Sequence, residues 1–280
     1  MAIAELREAV ALLVRMPLIW IPGIIGGACA AILWLTLFVS GAFFTSRLLV
    51  LFSLVLLFFI TGMLAVIRNN EATGRALLVG GLTYYFRVLL PLLVIGFSLV
   101  LVFILCTIIF ALLGSVADIG LLISLTFVIM VPTLMLTCFF DTAAVFEDRR
   151  VFESIQRSIL LVSGHVMEVL SFFMVSALLC AGVTLGLMIV WEAILFDKLK
   201  PIMDFTDAQR EAFTPDQLFA LIGQDGMWIT AIILFIGVLI LLPLLFSYKA
   251  CFYKKMVSTA VKIEQQTNGE YDSKGRWYKY

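Results

Sequence analysis

Residues 166–196 read VMEVLSFFMVSALLCAGVTLGLMIVWEAILF, a run whose only charges, Glu168 and Glu192, lie toward its two ends. A helix needs about 20 predominantly apolar residues to cross the hydrocarbon core of a bilayer. The run lacks the in-out alternation of a barrel strand, so it reads as a membrane-spanning helix, long enough to tilt or protrude. Five other stretches have the same character, at about 18–44, 48–67, 88–113, 119–140 and 227–247. The expected fold is all-α, a polytopic membrane bundle of six transmembrane helices.

Composition points the same way. The chain is 63% hydrophobic and 14% charged, whereas a soluble domain is about 45–50% apolar and about 25% charged. So little charge cannot clothe a water-facing surface, which excludes a soluble globular enzyme and a disordered chain. The 19 basic residues are balanced by 19 acidic ones, so there is no basic footprint for nucleic acid. The first span reads as a retained anchor: its apolar run is too long for a signal-peptide h-region, and Glu5, Arg7, Glu8 and Arg15 precede it.

Of the 19 basic residues, only Arg47, Lys198, Lys200 and Arg210 fall in the loops on one side. The rest flank the other ends of the spans, among them Arg68, Arg75 and Arg87, then Arg149, Arg150 and Arg157, and the cluster from Lys249 onward. The positive-inside rule places both termini in the cytoplasm of a multi-pass cell-membrane protein.

Each odd-numbered span is preceded on the cytoplasmic side by an amphipathic segment. The stripes are Ile3, Leu6, Val10 and Leu13, then Leu78, Leu82, Tyr85 and Leu89, then Val151, Ile155, Ile159 and Val162. These predict cytoplasmic amphipathic elbow helices lying in the interface, with a possible threefold repeat of elbow and helical hairpin. Glu5, Glu8 and Arg15 sit off the first stripe. Each descending span carries a helix-weakening residue, Gly62, Pro132 or Pro243, and the two prolines are expected kinks. Gly23 with Gly27 and Gly182 with Gly186 are GxxxG pairs, suited to close helix packing within the bundle or to a homodimer seam.

The six spans make a single membrane domain, 1–250, with an outer acidic loop at 197–226 and a basic, aromatic cytoplasmic tail at 251–280. In that loop Thr206 with Gln209 and Thr214 with Gln217 match the capping box. They predict short helices over 207–213 and 215–222, the second ended by Gly223. The last helix is expected to run to about Gln266.

Chemistry-bearing motifs are sparse. His165 is the one histidine, and the five cysteines are scattered without a CxxC pair. No nucleotide, zinc-protease or serine-elbow motif occurs, so no catalytic residue, cofactor or metal is expected. No charge falls near a span midplane, where one would mark an ion-coupled transporter. Asp141, Glu147, Arg149, Arg150, Arg157, Ser158 and His165 gather around the third elbow. They form the candidate functional elbow and the only candidate site for a lipid-acting enzyme.

That elbow lies in Phe140–His165, FDTAAVFEDRRVFESIQRSILLVSGH. The segment resembles one that recurs in prokaryotic six-helix integral membrane proteins of poorly known function. That group is similar to the membrane domain of some glycerophosphoryl diester phosphodiesterases. Glu147, Ser154, Arg157, Ser158 and Leu161-Val162-Ser163-Gly164 carry the likeness. Ser154 stands where Ala is usual, and Asp148-Arg149-Arg150 where the turn usually holds Gly. The resemblance implies a fold and a membrane location. The diesterase chemistry of those fusions belongs to a separate soluble domain.

The expected function is that of a non-enzymatic integral membrane protein, a scaffold or accessory to the transport or handling of lipid or another amphipathic substrate. The alternative is a channel or transporter with a path between helix-hairpin repeats. Expected partners are membrane lipid, through anionic inner-leaflet headgroups, and a membrane protein or a second copy of the chain.

Overall fold

A computed structural model describes residues 2–112, 119–203, 205, 214–267, 270–271 and 277–278. The described chain is helical apart from a two-residue antiparallel pairing of Glu270–Tyr271 with Trp277–Tyr278. The helices are α1 (Ala2–Arg15), α2 (Ile21–Asn69), α3 (Gly74–Leu112), α4 (Ile119–Thr137), α5 (Phe140–Phe146), α6 (Val151–Gly164), α7 (Val166–Ile194), α8 (Phe196–Met203) and α9 (Pro215–Thr267). A 3-10 turn, Pro17–Trp20, joins α1 to α2.

Five helical stretches are long and apolar enough to cross a membrane. The first contains both of the first two expected spans, joined without a loop. Its backbone leaves helical geometry at Gly41 (φ 73°, ψ 177°), a left-handed φ that costs glycine little. The arms before and after Gly41 lie side by side: a Cβ built on Gly26 would stand 3.2 Å from Leu56 Cδ1. In an unbroken helix those residues would be about 45 Å apart. α9 has a similar interruption at Gly223 (φ 64°, ψ −169°). Pro132 and Pro243, the expected kinks, lie inside helices that run on through them. The non-helical backbone angles inside the long elements are at Gly41 and Gly223.

In the outer loop, residues 207–213 lie outside the described residues. Pro215–Ile222 is helical, and Gly223 ends it. The Thr214 N–H donates to Gln217 Oε1 at 3.0 Å, and the Gln217 N–H to Thr214 Oγ1 at 3.4 Å. α8 carries no signature that the sequence reading used. Phe219 closes edge-on against Trp34 and Phe38 of the first arm of α2.

Helix α9 packs on α2 and α1, and close approach at glycine permits it. A Cβ on Gly23 would fall 2.6 Å from the Leu239 carbonyl oxygen, and one on Gly27 2.7 Å from that of Phe235. The second arm of α2 meets α3 in the same way. A Cβ on Gly62 would overlap the Leu77 carbonyl, and one on Gly81 would lie 2.8 Å from Phe58. Gly182 and Gly186 differ: nothing lies within 4 Å of an added Cβ at either. Among the described residues, nothing packs against these two glycines.

The apolar stripes of the three amphipathic segments are split: Leu13 and Val162 are buried, whereas Ile3, Val10, Leu78, Leu82 and Ile159 are exposed. In α6, Ser154 and Ser158 are fully buried while Phe152, Ile159 and Leu160 are exposed. In α1, Glu5 and Ala9 are buried while Ile3 and Val10 face out. At the start of α3, Leu77, Gly80 and Gly81 are inside while Leu78 and Leu82 are outside. Water would penalise this arrangement. A lipid environment favours it, because tails solvate large apolar side chains while small and polar ones let helices approach. α1 and α6 are separate from the helices that follow them, whereas residues 78–89 are continuous with α3.

Buried residues concentrate at one end of the bundle. One cluster joins Leu13, Met16 and Ile19 to Ile60–Ile67, Leu77, Val145 and Ala250. A second gathers Phe139, Val162, Phe172, Tyr248, Phe252 and Tyr253. α9 passes Ala250 without a break, so Cys251, Phe252, Tyr253 and Met256 belong to this core.

Candidate functional site

The packed end carries the charged residues, and α5 positions most of them. α4 stops at Thr137 and α5 starts at Phe140, which frees backbone groups in a buried turn. Ser158 of α6 satisfies two of them: its Oγ donates to the Leu136 carbonyl at 2.8 Å and accepts from the Phe139 N–H at 3.1 Å. This buried serine is a clamp between helices.

Asp141 is 5% exposed. Lys249 Nζ approaches its carboxylate to 2.7 Å, and the Thr142 N–H donates to Oδ1 at 2.6 Å. Both partners of the ion pair are mostly buried, so the pair ties α5 to α9 where water is scarce.

Glu147 caps α5 and is the hub of the elbow. Oε1 accepts from Arg157 Nε at 3.0 Å and from the Tyr253 hydroxyl at 2.7 Å, while Oε2 accepts from Arg149 Nε at 3.2 Å. Burial alone would raise its carboxyl, but hydrogen bonds from Tyr253 and Arg157 outweigh that and hold it below the usual carboxylate range. Burial would likewise lower the Arg157 guanidinium, yet its bond to Glu147 carries it above its ordinary value.

Asp148 takes a left-handed backbone (φ 55°) in the turn between α5 and α6. Its carboxylate accepts from Arg68 Nη2 at 2.6 Å, the Tyr84 hydroxyl at 2.8 Å and Arg87 Nη1 at 3.2 Å. The Arg68 bond, foremost among these, depresses the Asp148 carboxyl. Arg68 also donates to the Tyr84 hydroxyl and to the Val145 carbonyl, and Lys254 Nζ donates to the Ile67 carbonyl at 2.9 Å. Helices α2, α3, α5, α6 and α9 are thus knotted together by one polar layer.

Of the sequence candidates, Asp141, Glu147, Arg149, Arg157 and Ser158 join this layer. The Arg150 N–H donates to Glu153 at 3.2 Å, starting α6. His165 stands at the α6–α7 junction, its Nδ1 3.2 Å from the Leu161 carbonyl oxygen and away from the carboxylates' partners. Sequence reasoning missed Arg68, Tyr84, Arg87, Asp148, Lys249 and Tyr253 as members. One signal was available: Lys249 and Tyr253 are four apart, hence on one helix face.

A second feature lies away from this layer. Helix α7 docks by its first turns, where Val169 and Phe172 are buried; Phe172 stacks on Tyr248 with ring centroids 4.8 Å apart. Farther along, an apolar groove of about 360 Å³ opens between α7 and α9, flanked by Thr184, Leu187, Met188, Ile233 and Gly237. Trp191 walls this groove and also a wider cavity of about 600 Å³, where Glu192, Phe196 and Leu218 line the opening. The Trp191 Nε1–H donates to Thr230 Oγ1 at 2.8 Å, which fixes the indole between the two spaces. Comparison with protein-family models, curated proteins and solved structures gives no match.

Proposed function

We propose that the chain is a non-enzymatic multi-pass membrane protein that handles a lipid or similar amphipathic molecule, as a scaffold or an accessory to its transport. The groove between α7 and α9 carries this reading. Its walls are aliphatic at the depth of the spans, and its opening beside Trp191 and Glu192 offers a polar edge to a headgroup. Sites for such ligands are largely apolar, with a few polar groups that orient them. The elbow supports a structural role over a catalytic one. Both Glu147 oxygens accept bonds from neighbouring side chains, and Asp141 is held by Lys249. The described spaces along the spans are apolar, so no observation favours the channel alternative.

In this reading the fold-back at Gly41 makes two crossings of α2 and six in all. The charged end faces the cytoplasm of a cell membrane, with α1 and α6 as interfacial elbows. The inner rim meets anionic headgroups, and Gly182 with Gly186 is free for a second copy or a membrane protein partner.

Photo-crosslinking tests the groove. The purified chain is reconstituted with a phospholipid bearing a diazirine midway along one acyl chain, and labelled peptides are mapped. Peptides covering 184–191 and 230–241 are expected to label several-fold above the exposed face of α3 around Phe97 and Leu101, and Gly237→Trp is expected to remove the excess. Uniform labelling of all lipid-facing helices would sink the proposal.

A further inference from the structure

A small space of about 210 Å³ opens on α6, lined by Arg149, Glu153, Gln156, Arg157 and Leu160. Glu147 engages both arginines through their Nε edges. Arg157 also meets the Tyr253 hydroxyl, whereas the bond to Glu147 Oε2 leaves the terminal amino groups of Arg149 facing this space. The Arg149 fork, the Arg157 guanidinium and the exposed Gln156 amide thus border one space able to take a phosphate. Arginine forks match the oxygens of phosphate in pairs, and each such bond is charge-assisted. The charge is also uneven: among the lining residues Arg149 and Arg157 stand against Glu153, with Glu147 behind them and Arg150 adjacent in sequence. Asp148 does not cancel it, since Arg68 and Arg87 hold that carboxylate.

The setting decides the source of the phosphate. Gln156 shares a helix face with Phe152, Ile159 and Leu160, which are 73%, 37% and 60% exposed. A soluble anion would gain nothing from these side chains, whereas a phospholipid brings chains to cover them. We propose that Arg149, Gln156 and Arg157 bind the phosphate of an anionic phospholipid, whose acyl chains lie along Ile159 and Leu160. The proposal rests on the membrane reading but not on the α7–α9 groove.

Native mass spectrometry of the full chain in detergent tests it, with dioleoyl phosphatidylglycerol and dioleoyl phosphatidylcholine as probes. Phosphatidylglycerol is expected to be retained at lower concentration than phosphatidylcholine. Arg149→Gln and Gln156→Glu are each expected to weaken that retention about tenfold, the scale of one lost charge-assisted bond. Both positions are exposed, so folding survives; unfolding temperature verifies this. Arg47→Gln is expected to leave retention unchanged. So is Gly237→Trp, which separates failure here from failure of the groove. Retention unaffected by either elbow substitution overturns the site. Equal retention of phosphatidylcholine, or displacement by millimolar inorganic phosphate, overturns the anionic lipid as its occupant.

Discussion

The two ends of the bundle are built on different rules. At the charged end, residues 60–67 and 248–256 pack against α1, α5 and α6, and Arg68, Asp141, Glu147, Asp148 and Lys249 find partners. Toward the other end, α7 past Phe172 and α3 past Ile95 lie largely exposed, and their outward Gly96, Gly182 and Gly186 touch no other helix. Lipid explains the difference. Between spans there is no hydrophobic drive, because tails solvate leucine as well as another helix does. Where the helices leave the hydrocarbon, water and headgroups restore the drive to bury, and buried charges there are paired because an unpaired one is costly, although the Ser247 and Tyr248 hydroxyls are buried without a partner among the described residues. The charged end holds the fold, and the open end leaves apolar helix faces uncovered within the chain.

The contrast can be broken most severely at Lys249. Lys249→Ala leaves Asp141 charged, buried and unpaired, expected to cost about 3–5 kcal/mol and to lower the unfolding temperature in detergent sharply. Lys198→Ala loses an exposed pair with Asp225 and the bond to the Ile222 carbonyl, and is expected to cost about 1 kcal/mol. Gly62→Leu drives a side chain into the Leu77 backbone and is expected to cost about 1–3 kcal/mol by overpacking. Ser158→Ala strands the Phe139 N–H and the Leu136 carbonyl; a loss of about 1–3 kcal/mol is expected, with hydrogen exchange rising first in the α4–α5 turn.

Acid sharpens the same comparison. The folded Glu147 carboxyl lies below its ordinary value of 4.5. Its contribution is therefore complete above that value and lost as pH falls through the folded one. Unfolding followed from pH 6 to pH 3 is expected to show stability falling below about pH 4.5, and Glu147→Gln to flatten that part of the profile. The smallest effect belongs to the open end. Gly182→Leu is expected to stay within about 0.5 kcal/mol for the single chain, and a large loss there would reveal a contact made by a second copy.

The sequence carried the helices well and their facing poorly. Hydropathy located the spans, and the Thr214–Gln217 capping box placed the start of α9. Periodicity found α1 and α6, but it could not tell which part of each apolar stripe meets the rest of the chain: Leu13 and Val162 are buried while Ile3 and Val10 are exposed, and Glu5 is buried. The interruption at Gly41 looked like any other span glycine, because only the fold-back, with Gly26 beside Leu56, requires it. In the polar layer Glu147 and Arg157 were legible from the elbow itself. Arg68, Tyr84 and Lys249 come from distant helices, and single-chain spacing says nothing of such meetings. Asp148 was visible only as an odd residue in a turn, and its left-handed backbone is what aims it at three partners.

Helix α9 has a mechanical consequence. From Gly223 to Thr267 it runs for about 66 Å at about 1.5 Å per residue, twice the roughly 30 Å of a hydrocarbon core. It is packed against the body through Tyr253 and Met256, so its axis carries the inclination of the span beyond the core. A difference of about 20° in bundle tilt, within the range found for membrane helices, would shift the end of a roughly 30 Å extension sideways by roughly 10 Å. The length of α9 thus converts the angle at which the bundle sits into the position of its last turns.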